Sequence, residues 1–95
     1  MPAYVIVNLD VKDPAAYEEY KAKVPTIIKK HGGEYLVRGG RFVVEEGNWK
    51  PARLVLLKYP SLAAAQAMFA DPEYAPLKKL RQRLAKGEIV MVEGL

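Results

Sequence analysis

Three segments of this chain are apolar on both of their faces, and that limits the folds open to it. In residues 3 to 11, "AYVIVNLDV", alternation puts Ala3, Val5, Val7 and Leu9 on one face of a strand and Tyr4, Ile6 and Asn8 on the other. In residues 52 to 60, "ARLVLLKYP", the run Leu54-Val55-Leu56-Leu57 has no polar break. Residues 88 to 94, "EIVMVEG", repeat the pattern with Ile89-Val90-Met91-Val92. A sheet with one wet face alternates apolar and polar side chains, so these strands read as covered on both sides.

The intervening segments supply cover for only one side. After the first strand, Asp13 is a good N-cap and Pro14 suits the first helical position. Tyr17, Tyr20, Val24, Ile27 and Ile28 then recur at helical spacing, with Gly32 as the stop. Pro25 lies inside this pattern and is expected to bend or break the helix. A second strand starts at Glu34 and reads on to the turn at Gly47–Pro51. Pro60 ends the third strand, Ser61 caps "SLAAAQAMFA", and "DPEYAP" breaks that helix. A further helix, "LKKLRQRLAKG", closes at Gly87 before the last strand. The order is βαββαβ, an α+β, ferredoxin-like pattern: an antiparallel sheet with its helices on one face. At 95 residues the chain is one domain, 1–95, with one modest core. The second sheet face needs another cover, and the simplest is a second copy of the same sheet in a two-fold homodimer.

Composition narrows the function classes. There is no cysteine, which removes disulfides, thiolate metal sites and a cysteine nucleophile. One histidine with no cysteine gives no zinc site, and no metal or cofactor is expected. No run of eighteen apolar residues is present, and the start lacks a basic n-region, so the expectation is a cytoplasmic protein with no membrane segment. The net charge of +4 suits an anionic ligand but does not by itself indicate nucleic acid. Neither a P-loop nor a GxGxxG fingerprint occurs, and "RLVLLKYP" lacks the aromatic RNA-binding motif, so no nucleic acid partner is expected.

The segments "AYVIVNLDVKDPAAYEEY", "HGGEYLVRGG", "EGNWKPARLVLLKYPS", "DPEYAPLKKLRQR" and "IVMVEG", in this order and spacing, resemble the DUF1330 family of small bacterial proteins within the dimeric α+β barrel superfamily. The resemblance runs over nearly the whole chain. It implies a ferredoxin-like protomer and a barrel made by two protomers. It implies no activity, since DUF denotes a domain of unknown function. The wider superfamily includes cofactor-free monooxygenases, isomerases, haem-dependent peroxidases and ligand-sensing domains, and fold does not fix function among them.

The residues able to carry chemistry are few. "EYLVRGGRFVVEEG" places Arg38, Gly39 and Gly40 inside an apparent strand. By simple alternation Tyr35 and Val37 share one face, and Leu36 and Arg38 the other. Glycines here suggest a bulge or bend that opens space, or a tight hairpin with a very short strand. Arg38 facing that space would hold a carboxylate or enolate with its planar fork; facing solvent, it would pair with Glu45 or Glu46. His31 at a helix C-terminus is either a general acid or base at a pocket mouth or a cap on the last carbonyls. Tyr74, Leu77, Arg81 and Leu84 form one helical stripe, with Arg81 able to reach an anion, Tyr74 or a carboxylate. Tyr20 and Asn8, if buried, need hydrogen-bond partners and could line a polar pocket. The candidate catalytic residues are therefore His31 and Arg38. The candidate ligand-binding residues are Asn8, Tyr20, Tyr74 and Arg81. Two functions remain open: a cofactor-free oxygenase or isomerase acting on a small anionic or enolisable compound, or a non-catalytic ligand-binding or structural homodimer.

Overall fold

The computed structural model describes residues 1–95. Its elements run β1 (Ala3–Val11), α1 (Pro14–Lys30), β2 (Glu34–Arg38), β3 (Leu54–Tyr59), α2 (Leu62–Ala70), α3 (Ala75–Leu84) and β4 (Ala85–Glu93). The four strands form one sheet in the order β2-β3-β1-β4, with every neighbouring pair antiparallel. The architecture is ferredoxin-like, as the sequence pattern implies.

Local chemistry sets most boundaries. The Asp13 side chain accepts from the Ala16 amide at 3.1 Å and caps α1, while Pro14 starts the helix where no donor is needed. Gly32 ends it with φ 78, its amide donating to the Lys29 carbonyl at 3.0 Å. Ser61 caps α2 by accepting from Ala64 at 3.0 Å. Asp71 turns the chain between α2 and α3 by accepting from the Glu73 amide at 2.8 Å.

Three boundaries depart from the sequence pattern. Pro25 does not break α1, which continues through it to Lys30. Proline removes one amide donor, so the Lys21 carbonyl four residues earlier has no helical partner. The last helix stops at Leu84, and Gly87 is not its cap but the strand residue opposite Leu9. A Cβ at Gly87 would lie 1.8 Å from the Asn8 carbonyl oxygen, so glycine is required by the close approach of β1. The second strand ends at Arg38, not at the 47–51 turn. Gly39, with φ 73, turns the chain away after its amide donates to Leu54 at 2.8 Å.

The bulge in β2 lies at Leu36 rather than at the glycines. Tyr35 pairs with Leu57, Val37 with Leu56 and Arg38 with Val55, so two residues of β2 span one step of β3. Simple alternation would send Tyr35 and Arg38 to opposite faces. The extra residue puts both on the face shared by Val55 and Leu57.

That inner face carries Val5, Val7, Leu9, Val55, Leu57 and Tyr59, all buried against the helices. The α3 stripe of Tyr74, Leu77, Arg81 and Leu84 is buried as well. The outer face carries an unbroken apolar row across all four strands: Val37, Leu56, Ile6 and Val90. Nothing in the chain covers it; Val90 is 53% exposed and Val92 47%. The molecule is a slab of 36 × 34 × 16 Å, with a thin dimension that fits one sheet and one helical layer. Residues 39–53 leave the sheet as an unpaired loop, with Phe42, Val43, Val44 and Trp49 exposed. No helix is long and apolar enough to cross a membrane.

Candidate functional site

A cavity of about 50 Å³ lies between the inner sheet face and the helices. Its walls are mostly apolar: Val7, Leu9, Val24, Ile28, Val55 and Leu57 contribute. Four tyrosines (Tyr17, Tyr20, Tyr35, Tyr59) and four cations (Lys21, Arg38, Arg53, Arg81) complete the polar lining, and no carboxylate is among them. Lys21, Arg38 and Arg53 also line a shallow surface bowl of about 430 Å³, where Glu18 pairs with Lys21 at 3.3 Å, so the narrow inner space opens outward past the two arginines.

Arg81 is the central group. It is 8% exposed, and its Nε donates to the Tyr74 hydroxyl at 3.1 Å. No carboxylate pairs with it, so a buried cation faces an apolar space without a counter-charge, an expensive arrangement in an isolated core. Tyr74 is fully buried and shares a 2.8 Å hydrogen bond with the Tyr20 hydroxyl. With Arg81 donating to the Tyr74 oxygen, Tyr74 can donate its proton to Tyr20, leaving the Tyr20 proton for the cavity. Tyr17 stacks on Tyr20 at 5.0 Å, and Tyr74 meets Phe69 edge-on at 5.4 Å, which locks the rings. Burial pushes the Tyr20 phenol far above its ordinary pKa, and Tyr74 adds to the shift. Burial raises Tyr17 and Tyr35 too, opposed at Tyr17 by Arg53 and Arg81 and at Tyr35 by Arg38 and Arg53. These phenols are neutral hydrogen-bond donors, not phenolates.

Arg38 reaches the mouth for two reasons. The Leu36 bulge aims it inward, and its Nη2 donates to the Lys21 carbonyl at 3.1 Å. That is the carbonyl left free by Pro25, so the helix proline and the strand arginine complete one another. The guanidinium also lies 4.6 Å above the Tyr35 ring. It makes no ion pair with Glu45 or Glu46.

Tyr59 is 1% exposed, lines the cavity, and has a hydroxyl with no hydrogen-bond partner. Leaving a buried hydroxyl unsatisfied costs roughly 1–3 kcal/mol. Gly33 makes room for its ring: a Cβ there would sit 2.7 Å from Tyr59 Cε1.

The structure brings Tyr20, Arg38 and Arg81 to this cavity, sets Tyr74 behind it, bonded to Tyr20 and Arg81, and leaves two candidates outside it. His31 Nε2 lies 2.7 Å from Asp71 Oδ2, joining the end of α1 to the α2–α3 turn, with Lys30 on the same carboxylate oxygen at 2.9 Å. Asn8 is on the outer face, donating to Glu88 at 3.0 Å and accepting from the Ala52 amide at 2.9 Å. Arg53, Tyr35 and Tyr59 were not singled out in the sequence. Counting by twos along "RLVLLKY" places Arg53 and Tyr59 on the face of Val55 and Leu57; Tyr35 needs the bulge.

The sequence profile of DUF1330, a domain of unknown function, matches residues 2–95, and the chain belongs to that family. No curated protein matches it. Among solved structures it is similar to RPA0582 of Rhodopseudomonas palustris, a protein of unknown function, at 20% identity and TM-score 0.79, over 99% of this chain and 82% of that one. It is similar to SnoaB, a cofactor-independent oxygenase from Streptomyces nogalater, at 14% identity and TM-score 0.71, over 99% and 93% of the two chains. The de novo designed protein Foldit4 also matches, at 11% identity and TM-score 0.62, over 100% of both chains. A shared fold that extends to a designed protein carries no activity with it.

Proposed function

We propose that this DUF1330 protein binds a small anionic or enolisable compound in the cavity between sheet and helices and acts on it as a cofactor-free oxygenase or isomerase. The observation that carries the reading is the buried Arg81, without a carboxylate partner, at the head of the Tyr74–Tyr20 pair. A preorganised cation in a water-poor cavity stabilises charge on a ligand oxygen more than it would in water. Arg38 and Arg53 draw the anion to the mouth. Tyr20 delivers a proton or a hydrogen bond to the held oxygen. Since no carboxylate lines the cavity, the substrate that suits it is acidic enough to arrive ionised, or to ionise against Arg81. An enolate held this way is electron-rich at carbon, the form that reacts with dioxygen or is reprotonated at a new position. The likeness to SnoaB supports the oxygenase side of the reading by fold analogy. His31 and Asn8 have no part in it.

The protein acts as a homodimer in this reading, with the bare outer faces packed together. The apolar row Val37–Leu56–Ile6–Val90 and the exposed Phe42, Val43, Val44 and Trp49 of the 39–53 loop favour it.

Acetylacetone is a small, readily enolised probe. With wild-type protein its enolate absorbance should rise on binding, with dioxygen uptake or isotope exchange following; Arg81→Met should remove the rise. Absence of any enolate signal at saturating protein would sink the catalytic reading. Retention of a small acid in native mass spectra, with no turnover of it, would favour the non-catalytic binding protein instead.

A further inference from the structure

The cavity has two chemically different ends. At one end of the sheet, Arg38 stands opposite Val55 and the Arg53 carbonyl accepts from Leu9. Arg81 lines the same cavity, its Nε on the Tyr74 hydroxyl. At the other end, Tyr59 stands opposite Ala3, next to Gly33 where α1 gives way to β2. Four residue steps of β3 separate Val55 from Tyr59, about 13 Å of strand. Between them the wall is Leu57, Val24 and Ile28, with no charged group.

We propose that the Tyr59 hydroxyl is a specificity-determining contact, so that the ligand is a carboxylate or enolate carrying a second, uncharged oxygen at its far end. This rests on the anion-binding reading above and deepens it. The cationic end holds the charged oxygen. The apolar stretch takes the ligand's carbon body. The buried Tyr59 hydroxyl pairs with a hydroxyl or carbonyl oxygen of the ligand at the blind end. Nothing else in the fold claims that hydroxyl: every other side-chain polar atom buried to the same degree has a partner, and this one lines the cavity. Its titratable neighbour Tyr35 lines the cavity too. Gly33 lets the phenol sit back against α1, so an alanine there would push the ring toward the ligand's space. A second charge at this end is excluded on physical grounds, because no cation is there to meet it and the surroundings are apolar. The ligand class is therefore a hydroxy- or oxo-substituted monoanion rather than a dicarboxylate. A site built to hydrogen-bond a ligand oxygen rejects the analogue lacking it, because its own polar group is then left unpaired.

The test uses matched probes: straight-chain carboxylates of three to six carbons with their ω-hydroxy counterparts and the dicarboxylates of the same length, titrated by NMR into wild-type protein, Tyr59→Phe and Arg81→Met. At the length that spans the cavity, wild type should prefer the hydroxy acid by about tenfold, the worth of one hydrogen bond. Tyr59→Phe should erase the difference between the two members of the pair. Since the variant removes an unsatisfied hydroxyl, it should fold at least as well as wild type, and its thermal midpoint reports that. If wild type binds both members equally at every length, or if Tyr59→Phe keeps the preference, the blind-end assignment fails while the anion site stands. If no carboxylate shifts any cavity resonance, or if Arg81→Met binds them as wild type does, the anion site itself fails. If the dicarboxylates bind more tightly than the hydroxy acids, the far end is not the neutral site described.

Discussion

Replacing Arg81 by methionine should make the protein more stable and less able to hold an anion. The side chain is 8% exposed and makes one hydrogen bond, to Tyr74, with no carboxylate in reach. Removing that charged hydrogen bond costs roughly 1.5–3 kcal/mol. Tyr74 is not orphaned, because Tyr20 still pairs with it at 2.8 Å. Against this loss stands the desolvation of an uncompensated guanidinium, several kcal/mol in real proteins. Methionine keeps the unbranched stem, so little cavity is added. The net effect should be a gain of about 1–3 kcal/mol. For a domain of this size each kcal/mol moves the midpoint by about 4–8 °C. Thermal unfolding at fixed protein concentration measures it, since dimerisation would make the midpoint concentration-dependent. Stabilisation together with loss of acetylacetone enolate binding is the signature of a residue held for function at a cost to the fold. A destabilisation of about 2 kcal/mol or more, with probe binding intact, would refute the reasoning and make Arg81 a structural residue.

Other perturbations separate further parts of the account. Gly87→Ala puts a methyl group onto the Asn8 carbonyl and should cost at least about 3 kcal/mol in urea unfolding, by parting β4 from β1; near-neutral stability would mean the strands can move apart. Asp71 is held well below the usual carboxylate range by His31, then Lys30, then the Glu73 amide. A depressed folded-state pKa contributes stability above the unfolded value of about 4 and loses it as pH falls further. Asp71→Asn should therefore lower stability at neutral pH and flatten the acid limb of the unfolding curve below pH ~4; an unchanged acid limb would contradict it. Tyr17, Tyr20, Tyr35 and Tyr59 are all raised, chiefly by burial. Their stabilising effect is complete below pH ~10 and is lost as pH climbs toward the folded values, so phenolate absorbance from these rings should appear together with unfolding rather than before it. Ile6→Lys should yield a monomer by native mass spectrometry, whereas a wild-type monomer at micromolar concentration would remove the case for paired sheets.

What the sequence revealed depended on whether a signal was local. Caps at Asp13 and Ser61, the stop at Gly32 and the stripe of Tyr74, Leu77, Arg81 and Leu84 follow from residue chemistry within one or two turns. Each is found where the pattern puts it. Gly87 was misread because a helix-ending glycine and a strand glycine look alike; what distinguishes them is the Asn8 carbonyl, almost eighty residues away. The position of His31 at the end of α1 was legible, but its partner Asp71 belongs to a turn forty residues on. Arg38 drew notice for being out of place in a strand, yet strict alternation gave it the wrong company. Pro25, read as a possible break, turned out to be what frees a carbonyl for that arginine.

The bulge at Leu36 also bears on how this strand tolerates changes in length. In a regular strand, losing one residue turns every later side chain to the opposite face. Here the strand carries one residue more than its partner, and Leu36 is 49% exposed. Deleting Leu36 would straighten β2 against β3 while leaving Tyr35 opposite Leu57 and Arg38 opposite Val55. Deleting Val44 or another residue of the 39–53 loop would leave those pairings untouched too. The strand edge at the cavity mouth is thus a place where the chain can shorten by a residue without exchanging its inner and outer surfaces.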